Sequence, residues 1–248
     1  MQFFRRRVEI VTAPGVARGA VEDDFHNMRL EIHHDGKTIT RARGHAVRYP
    51  TNFCTAAAGQ LRLLEGAKLS DRVTDLYGFA DQYQQCTHVF ELAGIAITTC
   101  ARGDARRLYE LEIRAVPPDH PTEGTIKRDG EICLYWEVAN SVVQSPGRYA
   151  GLSLRRGFRE WIDKHLSPAE AEAAFLMRRG MSLATVHHEI KDKDEEKNED
   201  AMKMAGACFA LQRERIPNMT WFADSVRTFS DTPGMVGQGD QPWLRFEG

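Results

Sequence analysis

No run of apolar residues in this chain approaches the roughly 20 needed to cross a bilayer, so no membrane span is expected. The opening Met1-Gln2-Phe3-Phe4-Arg5-Arg6-Arg7 lacks the long apolar stretch and small-residue cleavage site of a secretory signal, which makes the cytoplasm the expected compartment. Cysteines number only five in 248 residues, an odd and scattered set that argues against a disulfide framework and for buried or functional thiols. Net charge is also nearly absent, at −2, and basic residues interleave with acidic ones. No nucleic-acid surface is therefore expected, and the basic clusters read as solvated faces. What is present is 42% apolar residues, enough for one sizeable core or two small ones.

The most informative stretch runs from Gln85 to Cys100. Val89, Leu92, Ala93, Ala96, Ile97 and Cys100 recur at helical spacing behind Cys86-Thr87-His88, so the segment reads as a helix that begins at those three reactive side chains. Unpaired N–H groups and the positive end of the helix dipole favour a thiolate at such a position.

Before this helix, Val8 to Val11 is a strand candidate ended by Ala13-Pro14-Gly15. Glu22, Asp23 and Asp24 precede Phe25 to Ile32, where Met28, Leu30 and Ile32 alternate with polar residues as in a half-buried strand. His34-Asp35-Gly36-Lys37 supplies a turn, Thr38 to Arg43 returns as a second strand, and His45 to Tyr49 reads as a third. Pro50 ends the pairing. Cys54 then leads into a helix over 56–64, with Gly66 as its stop. His26, Cys54, Cys86 and His88 thus form a candidate metal constellation. On spacing alone the competing reading, buried cysteines and a hydrogen-bonded histidine, stays open, because no closely spaced Cys-x-x-Cys pair is present.

Together, His26-Asn27-Met28-Arg29, Arg48-Tyr49-Pro50, Cys54 with its small-residue helix, and Cys86-Thr87-His88 followed by Glu91-Leu92 resemble a bacterial domain-of-unknown-function family. Its signature is an H-x-M-R strand followed by a C-T-H-x-x-E-L helix start. More distantly, the order of strand, Asp-Gly turn, strands, cysteine and small-residue helix is similar to iron–sulfur scaffold proteins of the IscU/NifU type. That resemblance implies an IscU-like core with a zinc or cluster site. His26 stands where the family has an aspartate, Cys54 near its first cysteine and Cys86 at its later one. His88 has moved from before the cysteine to after it, and one further family cysteine is replaced within Pro50 to Phe53.

Farther along, Leu108 to Val116 and Glu131 to Val138 read as added strands, and Tyr135, Trp136 and Tyr149 as either pocket lining or ordinary packing. Ser167-Pro168-Ala169-Glu170 combines an N-cap, an N1 proline and a capping-box glutamate at the start of a helix that runs to about Glu189. Leu154 to His165, Ala201 to Arg213 and a short piece within Trp221 to Phe229 are also read as helical. His187-His188-Glu189 and the charge run Lys191 to Asp200 read as solvated surface. The expected fold class is α+β, an antiparallel sheet with packed helices. Its parts are a metal-site core over 1–103, added strands over 104–150, a helical region over 151–236 and a tail over 237–248.

The resulting expectation is a metal-dependent enzyme of bacterial catabolism with one zinc or iron ion held by His26, Cys54, Cys86 and His88. His88 or Glu91 would handle protons. Hydrolysis of an acyl or thioester bond, or lyase chemistry, on a small aromatic or acyl-CoA-type molecule suits such a centre. Three rivals remain: covalent catalysis by Cys86 with His88 as base, a non-catalytic metal or iron–sulfur carrier, and an interaction protein with a structural zinc. A small-molecule substrate is the expected partner, and a homo-oligomer is compatible with these features.

Overall fold

The computed structural model describes residues 2–117, 120–190 and 201–246, apart from the side chains of 186–190 and 223. The expected charge run over 191–200 and the side chains of His187-His188-Glu189 lie outside the described residues. Eight antiparallel strands form one sheet: β1 (Phe3–Ala13), β2 (Val16–Asp23), β3 (Asn27–His34), β4 (Ile39–Arg48), β5 (Arg106–Arg114), β6 (Thr122–Arg128), β7 (Glu131–Ala139) and β8 (Val142–Val143). Their spatial order is β4-β3-β2-β1-β5-β6-β7-β8. Each half is a four-stranded meander, and the halves meet where β1 pairs with β5, Arg6 opposite Leu111. The α+β class with an antiparallel sheet is as expected.

Short turns explain the meanders. Asp129-Gly130 and Asn140-Ser141 are two-residue loops with positive φ at both positions, the backbone twist that joins adjacent antiparallel strands without splaying them. Two strands escaped the sequence reading. Val16–Asp23 and Thr122–Arg128 each carry a glycine on the inward face, Gly19 and Gly124, which breaks the apolar alternation. The expected second and third strands of the first half are instead one continuous β4, with Gly44 inside it. A side chain at Gly44 would strike the Ala58 carbonyl oxygen at 2.5 Å, so glycine is what allows α1 (Cys54–Gly59) to sit against this strand.

One face of the sheet is the core. Phe4, Val8 and Ile10 of β1 point inward beside Tyr109 and Ile113 of β5. The 16-residue helix α3 (Thr87–Arg102) covers β1, β2 and β3, ended by Gly103 in the left-handed conformation. After the single turn α2 (Leu76–Phe79) and the eight-residue α4 (Phe158–His165), helix α5 (Pro168–Ile190) covers β1, β5, β6 and β7. Glu170 accepts hydrogen bonds from Ser167 N and Oγ at 2.9 and 2.7 Å, the first of them the glutamate half of a capping box. No helix among the described residues is long and apolar enough to cross a membrane.

The opposite face carries rows of charge, including the ion pairs Arg7–Glu110 and Arg18–Glu31. The C-terminal segment lies across part of it. Gly237 N donates to Glu22 Oε2 at 2.7 Å, Arg29 pairs with buried Asp240 at 2.7 Å, and the Arg18 guanidinium sits 5.1 Å from the Trp243 ring centroid. The segment read as a tail is therefore packed from Gly237 to Leu244. In contrast to the expected helices, 201–213 and 221–229 are mostly turns and extended chain, with a three-residue 3-10 turn at Ala223–Ser225. Their ends are fixed by contacts to the first half, such as Phe209 N to Gln85 O and Phe222 N to Pro50 O.

Candidate functional site

The turn between β2 and β3 builds the first part of the site. Asp23 N donates to His26 O at 2.8 Å, and Asp23 Oδ1 accepts from the backbone N–H groups of Phe25 and His26. This side-chain turn, made possible by the short acceptor of aspartate, brings the His26 ring back onto its own aspartate. His26 Nδ1 lies 3.2 Å from Asp23 Oδ1. Burial alone would raise the Asp23 carboxyl, but the charge and hydrogen bond of His26, joined by Arg6, outweigh it and hold the group well below the usual carboxylate range. Asp23 is therefore an acceptor, which assigns the proton in this contact to His26 Nδ1.

Helix α3 supplies the second part. Its N-cap is Cys86, and the His88 ring stacks on that of His26 with centroids 3.7 Å apart and planes at 25°. His88 is buried, and its Nε2 has no hydrogen-bond partner among the described residues. Burial, then the neighbouring His26 and Arg6, push its pKa well below the ordinary imidazole value, so it is neutral at pH 7. Gln85 Nε2 and Glu91 Oε2 are likewise buried without a hydrogen-bond partner. His88 and Glu91, three apart in α3, share one side of the helix, and their unfilled hydrogen-bonding capacity beside the Asp23–His26 turn makes these surroundings a buried polar chamber.

A buried chain of alternating charge extends from this chamber. Arg6 NH1 contacts Asp23 Oδ2 at 2.6 Å, and its NH2 lies 3.8 Å from Glu91 Oε2. Arg179 Nε then donates to Glu91 Oε1 at 2.7 Å. Contrary to the reading of basic clusters as solvated, Arg6 is only 2% exposed. Strand alternation puts it on the same face as Phe4 and Val8, and the two carboxylates compensate its burial.

Of the residues expected to bind metal, the structure brings His26 and His88 together. Cys54 and Cys86 are both buried, but neither joins a group of ligand atoms with them. Cys54 Sγ instead faces Thr51 Oγ1 at 3.3 Å. The expected thiolate at the helix start is also reversed: burial, and next the proximity of Cys54, push the Cys86 thiol up to about 12. Glu91 is placed between two guanidiniums, those of Arg6 and Arg179. Asp23, Arg6 and Arg179 were not singled out from sequence. The available signal was Asp23 three residues before His26 between two strands; nothing local marks the two arginines.

The ligand atoms of Asp23, His26 and His88 all lie within 4.8 Å of one another, and carboxylate with imidazole suits zinc or iron chemically. As the side chains stand, they do not fit a shared ion. Imidazole lone pairs lie in the ring plane, and two rings stacked at 3.7 Å direct them side by side instead of toward one point. Both Asp23 oxygens are also engaged, by Arg6 and by the His26 turn.

A cleft of about 720 Å³ adjoins the chamber, lined in part by Thr87, which precedes His88, and by Arg179. In comparisons with known proteins, no family model and no curated protein matches this chain.

Proposed function

We propose that the protein is an enzyme whose His26–His88 pair moves protons during hydrolysis of an acyl or thioester bond, or an elimination, in a small organic substrate. The observation that carries this reading is the neutral, partnerless His88 stacked on an aspartate-oriented His26 in a polar chamber. Asp23 orients the His26 ring through Nδ1, while His88 offers an uncharged imidazole beside it.

The high pKa of Cys86 weighs against the covalent alternative, and the separation of the thiols from the histidines weighs against a metal or cluster carrier. The test is turnover of a panel of aromatic and aliphatic acyl thioesters, esters and β-substituted acids, with circular dichroism to confirm folding of each variant. His26→Ala and His88→Ala are expected to lower turnover about 10²- to 10⁴-fold, the usual range for removing a general acid or base. Turnover retained by folded His26→Ala would overturn the assignment, and Cys86→Ser is expected to stay within about threefold of the parent.

A further inference from the structure

The cleft beside the chamber has an unusual charge lining. Arg155, Arg156, Arg159, Arg178 and Arg179 all border it, against one carboxylate, Glu160. Arg179 is committed to Glu91, but none of the other four forms an ion pair among the described residues. What holds them is neutral: Arg155 Nε meets Ser141 Oγ at 3.1 Å, Arg178 Nε donates to Leu154 O at 2.7 Å, and the Arg159 guanidinium sits 4.1 Å from the Tyr77 ring centroid. Like charges gathered in one place repel one another, and Arg178 responds: burial first, then the neighbouring Arg179, lower its pKa against the opposing charge of Glu91.

The backbone adds to the same field. Helix α4 starts at Gly157, which adopts φ 82° as N-cap and brings no side chain to cap the helix. The N–H groups of the first helical turn have no intrahelical acceptor, and its residues Phe158 and Arg159 line the cleft. An uncapped helix start beside guanidiniums is a combination that favours phosphate oxygens over a single carboxylate, since phosphate accepts several bonds from converging directions. The volume exceeds what a bare ion needs and lies in the range of small-molecule sites. Tyr77 and Tyr83 provide aromatic surface for an organic portion.

We propose that this cleft binds a phosphorylated small molecule, with Arg155, Arg156 and Arg178 and the start of α4 receiving the phosphate group. That this molecule is the substrate of the histidine pair rests on the function proposed above; the binding itself does not. Because Arg179 borders the cleft and also bonds Glu91, the ligand's anionic end would lie at the outer end of the buried ion chain.

Isothermal titration of the full-length protein with pyrophosphate, adenosine 5′-diphosphate and a short single-stranded oligonucleotide, with sulfate as the control anion, tests the proposal. Saturable binding of adenosine diphosphate or pyrophosphate is expected, stronger than sulfate, and weakened about tenfold or more in Arg155→Ala/Arg156→Ala, as for loss of at least one charge-assisted hydrogen bond. Both arginines are exposed, so the double variant is expected to fold. Equal affinity for sulfate, no binding of either phosphate compound, preference for the oligonucleotide, or binding undiminished in the double variant would each overturn it. The same titration on His26→Ala separates the two readings: affinity there is expected to be unchanged even where turnover is lost.

Discussion

His26 and His88 face each other ring to ring at 3.7 Å, although one comes from a turn between strands and the other from the first turn of a helix 62 positions away by their numbers. Asp23 and Arg6 fix the first ring, and the second is held by the position of α3 on the sheet. The contact is thus a product of the tertiary fold and not of a local motif.

That stacking leads to a prediction about metal. Purified protein is expected to carry less than stoichiometric zinc or iron, and added Zn²⁺ or Fe²⁺ is expected to leave its melting temperature unchanged, because a site-specific ion would stabilise the fold by mass action. Stoichiometric metal that disappears in both His26→Ala and His88→Ala would show that the rings separate to accept an ion.

Acidity should reveal two opposed groups. Burial, opposed by the Phe229 backbone bond and reinforced by the charge of Asp23, raises the Asp24 carboxyl from 3.8 to about 7. The folded protein therefore binds the extra proton between those values, and this group makes stability fall as pH rises. His88, lowered from 6.5, has the other sign: the unfolded chain takes up its proton first, so its contribution is lost as pH falls below about 6.5. Between 3.8 and 6.5 the two oppose each other. Asp24→Asn is expected to unmask a rise in stability with pH across this window, and above pH 7 to exceed the parent by on the order of 2 kcal/mol in urea unfolding.

Arg6 is predicted to be the most sensitive polar position. Arg6→Met leaves the Asp23 and Glu91 carboxylates in the core without their shared cation, which is expected to cost roughly 3–5 kcal/mol at pH 7. Arg6→Lys should recover only part of this, since one ammonium cannot reproduce a guanidinium that reaches both acids. Chemical denaturation of the three proteins is the measurement, and equal midpoints would contradict the role assigned to Arg6.

Gly44→Ala tests the docking of the first half. The new methyl group would meet Ala58 O at 2.5 Å and Val89 Cγ1 at 2.8 Å. A backbone carbonyl cannot turn aside as a side chain can, so a loss of about 1–3 kcal/mol is expected in thermal or urea unfolding.

The sequence made some parts legible because their signals were local. The α3 start at Cys86, the capping box at Ser167 and the alternation from Met28 to Ile32 each depend on a few neighbouring residues. The strands β2 and β6 were hidden by inward glycines that make room for neighbouring side chains, Ile10 and Leu30 over Gly19 and Ile113 with Met181 over Gly124, a tertiary requirement. His26 and His88 were named, whereas Cys54 and Cys86 were grouped with them by chemical type and helix position, and their thiols lie outside the group of ligand atoms formed by Asp23, His26 and His88. Asp23 lay in plain view in an acidic run, whereas Arg6 and Arg179 became partners of Glu91 only when β1, α3 and α5 came together.

The pairing of β1 with β5 also sets a timetable. Residues near the start of the chain cannot complete their central strand pairing until Arg106–Arg114 is available, and Phe3 N meets Ser230 Oγ at 3.2 Å only when nearly all of the chain is present. Such long loops must close before their contacts reward the lost entropy, so refolding should be slow for a chain of this size.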